Sequence, residues 1–128
     1  MKRSLTLIAV VVLLVVVSAV VFAACLPSDP AKAKEKYEKA DYSAALITEE
    51  TVLAVAELAL PVKIDGDLAA SLTVSNKSYA GEILYFEKSS DAKKYADYMK
   101  ENTKSYVKKD GKAVFVGKEE AYKMKKAE

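Results

Sequence analysis

Residues 5–24 run without a single charged side chain, and only Thr6 and Ser18 interrupt their apolar character. This run divides the chain before any fold can be read. As a helix it would extend about 30 Å at roughly 1.5 Å per residue, the thickness of a bilayer's hydrocarbon core. Lys2 and Arg3 precede it. A basic start followed by an apolar run is the pattern of an export signal, whose basic end stays on the cytoplasmic side. The run exceeds the usual signal core of about 7–15 residues, so an uncleaved membrane anchor is a second reading of the same residues.

The only cysteine, Cys25, stands where the run ends, directly after Phe22-Ala23-Ala24. The arrangement resembles the lipobox of bacterial lipoproteins, in which an aliphatic residue and two small residues precede a cysteine. Phe22 occupies the position where that family has Leu, Val or Ile. The resemblance covers the first 25 residues. It implies that the Cys25 thiol receives a diacylglyceryl group and that the signal is cut before Cys25, with Phe22, Ala23 and Ala24 as the cleavage flank. The fatty chains (palmitate or similar) would then hold the protein at the extracytoplasmic face of the cell membrane. Two acyl chains anchor stably where one binds only marginally. A lone cysteine in an exported chain also has no intramolecular disulfide partner. The alternatives are a bystander thiol in an uncleaved anchor, making the protein a single-pass subunit of a membrane complex, and a residue left near a terminus by ordinary signal cleavage.

The chain therefore divides into residues 1–24 as signal or anchor, 25–30 as lipidated cysteine and linker, and 31–128 as one small domain. Beyond Cys25 the 18 Lys balance 18 Asp and Glu, so the formal net charge of +2 resides in Lys2 and Arg3. The basic character belongs to the export segment and gives no reason to expect a nucleic-acid partner.

Local signals then alternate. Asp29 followed by Pro30 predicts a helix start, with a helix over 31–41 whose narrow stripe of Ala33, Tyr37 and Ala40 promises only partial docking. A short strand is expected over 42–47. Thr48-Glu49-Glu50 opens a second helix that must end before Pro61 and, being apolar on several sides, should be well buried. Asp65-Gly66-Asp67 and Asn76-Lys77-Ser78 are turn signals around a strand over 68–75. Residues 81–88 form the clearest strand. Ser89-Ser90-Asp91 caps the clearest helix, running to about Lys104 with Ala92, Tyr95, Ala96 and Met99 on one face. Asp110-Gly111 predicts a tight hairpin between strands over 105–109 and 112–116, and 118–126 can form a last helix.

The central βαββαβ order predicts an α+β domain of the ferredoxin-like type, an antiparallel sheet with its helices on one face, preceded by the N-terminal signal or anchor helix. The stretches ILYFEKSSDAKKYADYMK and VKKDGKAVFVGKEEA also resemble, in pattern, small lipoproteins of Gram-positive bacteria. That likeness implies no particular activity.

Histidine is absent and Cys25 stands alone, so the commonest general base, imidazole ligation and thiolate zinc sites are all excluded. Four glycines, at 66, 81, 111 and 117, cannot make a phosphate loop. Asp65 and Asp67 are the nearest approach to a metal pair, but the spacing lacks the further oxygen ligands of a calcium loop and reads as a turn. No catalytic residue, metal or cofactor is assigned. The eight tyrosines are the one suggestive feature, because exposed tyrosine beside lysine suits a glycan or protein partner, although Tyr85 and Tyr95 as core with the others shielding its rim is the favoured reading. A non-enzymatic binding or assembly module at the cell surface is the leading expectation. A small cell-envelope hydrolase or transferase using Ser, Lys, Asp or Tyr is the alternative.

Overall fold

The computed structural model describes residues 26–128. It contains α1 (Pro30–Lys39), β1 (Ser43–Ile47), α2 (Glu50–Leu58), β2 (Leu68–Ser75), β3 (Ala80–Phe86), α3 (Ser89–Asn102), β4 (Tyr106–Asp110), β5 (Ala113–Gly117) and α4 (Glu119–Tyr122). The five strands form one open sheet in the order β1-β2-β3-β5-β4, antiparallel at every pairing.

The α+β class and the antiparallel sheet agree with the sequence, but the ferredoxin-like order does not hold. That order needs two crossovers that interleave the strands. Here Ile47 at the end of β1 pairs with Ser71 near the start of β2. The chain leaves β1, forms α2 and returns at the same end of the sheet, so no crossover occurs. Of the two helices that link strands, only α3 makes a crossover, carrying the chain from the end of β3 to β4, with β5 between them.

The helices also occupy both faces rather than one. Ala33 and Tyr37 of α1 and Ala121 and Tyr122 of α4 pack on Leu72, Val74, Ile83, Tyr85 and Phe115. Leu53 of α2 and Ala92, Tyr95 and Ala96 of α3 pack on Leu68, Leu84, Phe86, Val107 and Val114. The sequence carries the reason. Ile83-Leu84-Tyr85-Phe86 and Ala113-Val114-Phe115 are unbroken apolar runs, and successive strand residues point to opposite faces, so both faces demand cover. In β2 a register shift between Leu68 and Ala70 sends Leu68 to the second face while Ala70, Leu72 and Val74 serve the first.

Two helices behave differently from expectation. The Ala33 and Tyr37 stripe of α1 docks completely, both residues being fully buried. Helix α2 is the reverse: of its apolar residues only Leu53 is buried. Its nine residues lie at one end of the sheet, where one helical stripe finds cover and the others do not. The Asp29 cap holds as read, its Oδ1 accepting from the Ala31 N–H at 2.9 Å.

The β4–β5 hairpin turns on Gly111-Lys112, one residue later than Asp110-Gly111. Asp110 pairs with Ala113, and Gly111 has a φ of 62°, the left-handed value that primed hairpin turns require at their first central position. The shift draws Asp110 into β4, on the face shared with α1 and α4.

Candidate functional site

Phe22, Ala23, Ala24 and Cys25, and the signal or anchor of residues 1–24, lie outside the described residues. What the structure does describe is how the chain enters the fold immediately after them. The Leu26 N–H donates to Asp110 Oδ2 at 3.0 Å, and its side chain is buried in the first core, although residues 26–30 read as a linker in the sequence. The Tyr85 hydroxyl donates to the Pro27 carbonyl at 3.2 Å. Asp110 Oδ2 also accepts from the Tyr122 hydroxyl at 2.6 Å. One carboxylate oxygen, released by the hairpin shift, thus joins the entering chain, the hairpin and α4.

The tyrosines are largely consumed by the core. Tyr37, Tyr42, Tyr79, Tyr85, Tyr95 and Tyr122 are buried, and of the rest only Tyr98 is well exposed. Tyr106, Phe115 and Tyr122 pack ring to ring with centroids 5.4–6.4 Å apart. Burial pushes the Tyr95 hydroxyl up to about 12, and it raises those of Tyr37 and Tyr85 as well. These phenols are packing groups, as the core reading of Tyr85 and Tyr95 expects, and the tyrosines form no contiguous exposed patch among the described residues.

The exposed apolar surface lies elsewhere. Along α2, Val52, Val55 and Leu58 are 42%, 64% and 88% exposed, and Ile47 at the end of β1 is 37% exposed. Residues three or four apart share a helix face, so Thr51, Val55 and Leu58 form one outward stripe. Covering a side chain such as Leu58 is worth roughly 1.5–3 kcal/mol, which makes its near-complete exposure costly. The sequence signalled an apolar helix here but gave no means of telling which side would remain open.

The opposite stripe of α2 is acidic. Glu50, Leu53 and Glu57 line a cleft of about 300 Å³ with Asp67, Leu68 and Glu87. Burial and the neighbouring Asp67 carboxylate push the Glu57 pKa up from its ordinary value, against the lowering effect of the Leu68 N–H. Asp65, the other half of the expected turn, contributes backbone instead: its N–H and that of Gly66 donate to Asp91 at 2.9 and 2.8 Å. Asp91, expected to cap α3, therefore ties down this loop, while Lys88 occupies the cap position without a side-chain bond. Burial raises the Asp91 pKa, but those two N–H groups and Lys94 and Lys88 more than offset it, leaving the carboxyl below its ordinary value. No group of three His, Cys, Asp or Glu side chains suited to a metal ion occurs among the described residues.

Glu87 also lines the cleft beneath the entering chain, together with Ser28, Pro30, Ala69 and the Asp110-Gly111-Lys112 turn. The Glu87 N–H donates to the Asp67 carbonyl and the Phe86 N–H to the Lys112 carbonyl, both at 2.9 Å. Helix α2, the β4–β5 turn and the point of chain entry consequently share one end of the sheet. The Asn76-Lys77-Ser78 turn lies at the other, where Asn76 Nδ2 donates to the Lys125 carbonyl and the Glu128 N–H to Ser78 Oγ. Among the described residues, no helix is long and apolar enough to cross a membrane. Comparison with protein-family models, with curated proteins and with solved structures finds no match for this chain.

Proposed function

We propose that the protein is an extracytoplasmic lipoprotein, anchored through Cys25 after removal of residues 1–24, and that it acts by contact as a binding or assembly module rather than as a catalyst. The observation that carries this reading is the open apolar stripe of α2, with Val55 and Leu58 more exposed than buried on a domain whose other large apolar side chains are mostly covered. An apolar stripe left uncovered by the rest of the domain suits contact with a second surface. The lipobox-like Phe22-Ala23-Ala24-Cys25 supplies the address.

Intact mass of the membrane-extracted protein, beside a Cys25→Ala variant, tests the address. A mass without residues 1–24 and with acyl chains added, together with an unprocessed variant, supports it. A full-length unmodified mass with membrane retention replaces it with the single-pass reading. Hydrolysis of an ester or cell-wall substrate by the purified protein would overturn the non-enzymatic part.

A further inference from the structure

The geometry points to a lipid surface as the occupant of the α2 stripe: the end of the domain bearing α2 and the Gly111-Lys112 turn lies against the membrane that holds the chain. This inference rests on the reading that the residues before Leu26 are membrane-bound, whether by lipid or as a helix.

The first support is the absence of slack. The chain is fixed at Leu26 by the Asp110 carboxylate and at Pro27 by the Tyr85 hydroxyl, and the Leu26 side chain is buried. Cys25 immediately precedes Leu26, and consecutive Cα atoms are about 3.8 Å apart. An anchor attached at Cys25, or a membrane helix ending there, therefore begins within a residue of the folded domain. With no free tether, the end of the domain where the chain enters is the end nearest the bilayer.

The second support is what that end carries. The cleft below the entering chain and the cleft below α2 share Glu87, one on each side of the sheet's end. Val55 and Leu58, the most exposed large apolar residues described, thus lie at the membrane-proximal end and not at the far turn. The acids of α2 lie off this stripe, Glu50 and Glu57 lining the cleft with Asp67 and Glu87. An apolar helical stripe at the bilayer boundary buries its side chains among headgroups and upper acyl chains. The far end, at Lys77, is displaced by the length of β2, about 26 Å at roughly 3.3 Å per residue.

The test uses the full chain, expressed in membranes, extracted and reconstituted into phosphatidylcholine vesicles containing a headgroup-attached spin label. Thr51→Cys, Lys112→Cys and Lys77→Cys each carry a fluorophore on the introduced thiol. The expected result is quenching several-fold stronger at positions 51 and 112 than at 77. Adding Val55→Glu and Leu58→Glu should lower quenching at 51 several-fold while flotation with the vesicles persists. Equal quenching at the three positions, or strongest quenching at 77, overturns the proposal. So does an unchanged signal at 51 after the two Glu substitutions, or a stripe shielded in a dimer that those substitutions dissociate. Flotation and intact mass of the unsubstituted protein read the anchor separately. Loss of membrane retention there defeats the underlying reading together with this one, whereas a wrong quenching pattern in a retained protein defeats this inference alone.

Discussion

The Phe115 ring lies across the Cα of Gly81, so close that a Cβ built on Gly81 would stand 2.3 Å from Phe115 Cζ. Gly81 and Phe115 are on neighbouring strands, Gly81 standing two positions along β3 from Ile83, the direct partner of Phe115. The ring fills the space that a glycine leaves in a strand. Gly81→Ala should therefore destabilise the protein by about 1–3 kcal/mol, the usual cost of overpacking. Denaturant unfolding of Gly81→Ala, Phe115→Leu and the double variant checks it. A double variant less destabilised than the sum of the singles is the expected coupling.

Tyr37 presents the opposite problem. Its ring is fully buried, in edge-on contact with Tyr42 at 5.3 Å, but its hydroxyl has no hydrogen-bond partner among the described residues. A buried unsatisfied hydroxyl costs about 1–3 kcal/mol. Tyr37→Phe keeps the ring and removes the cost, so its unfolding midpoint should rise.

Asp91 should be required for stability at neutral pH. Asp91→Asn leaves the Asp65 and Gly66 N–H groups without a charged acceptor, a loss of about 1.5–3 kcal/mol. The folded-state pKa lies below the ordinary carboxylate value, so the carboxylate's contribution is present above the unfolded pKa and lost as pH falls through the folded one. The gap between the natural protein and Asp91→Asn should close in acid, measured by unfolding at several pH values.

Glu57 should behave with the opposite sign. Its folded-state pKa is raised, so folding favours its protonated form, and that contribution fades as pH rises through the folded value. Glu57→Gln holds the neutral form permanently. The variant should match the natural protein near pH 4 and exceed it at neutral pH, the difference growing across the interval between. A variant less stable than the natural protein at neutral pH would contradict this account.

The Asp29 cap and the Asn76 turn were legible because each is local, whereas the caps expected at Thr48 and at Ser89-Ser90-Asp91 fall at Glu49 and Lys88. Asp29-Pro30 places the start of α1, and the Asn76 side chain, accepting from the Ser78 and Tyr79 N–H groups, builds the β2–β3 turn its residue type suggests. The layering is legible in the apolar runs of the middle strands, although the βαββαβ order by itself points to one covered face. The unbroken run from Ile83 to Phe86 announces a strand covered on both sides, whereas alternation would have meant one. The exposure of Val55 and Leu58 was not legible, because a Val- and Leu-rich helix carries the same pattern whether or not a neighbour covers it. Asp110 was hidden for a different reason. As half of an Asp-Gly pair it reads as a turn residue, and only the register places its carboxylate beside Leu26 and Tyr122.

That carboxylate has a mechanical meaning. Tension applied to the chain ahead of Leu26 meets two attachments before it reaches α1: the Asp110 carboxylate on the edge hairpin and the Tyr85 phenol on the middle strand. Traction is delivered to the sheet at two separate strands, and because Tyr122 grips the same oxygen as Leu26, α4 is braced into the load path as well. Helix α1, though first in sequence, is spared the pull.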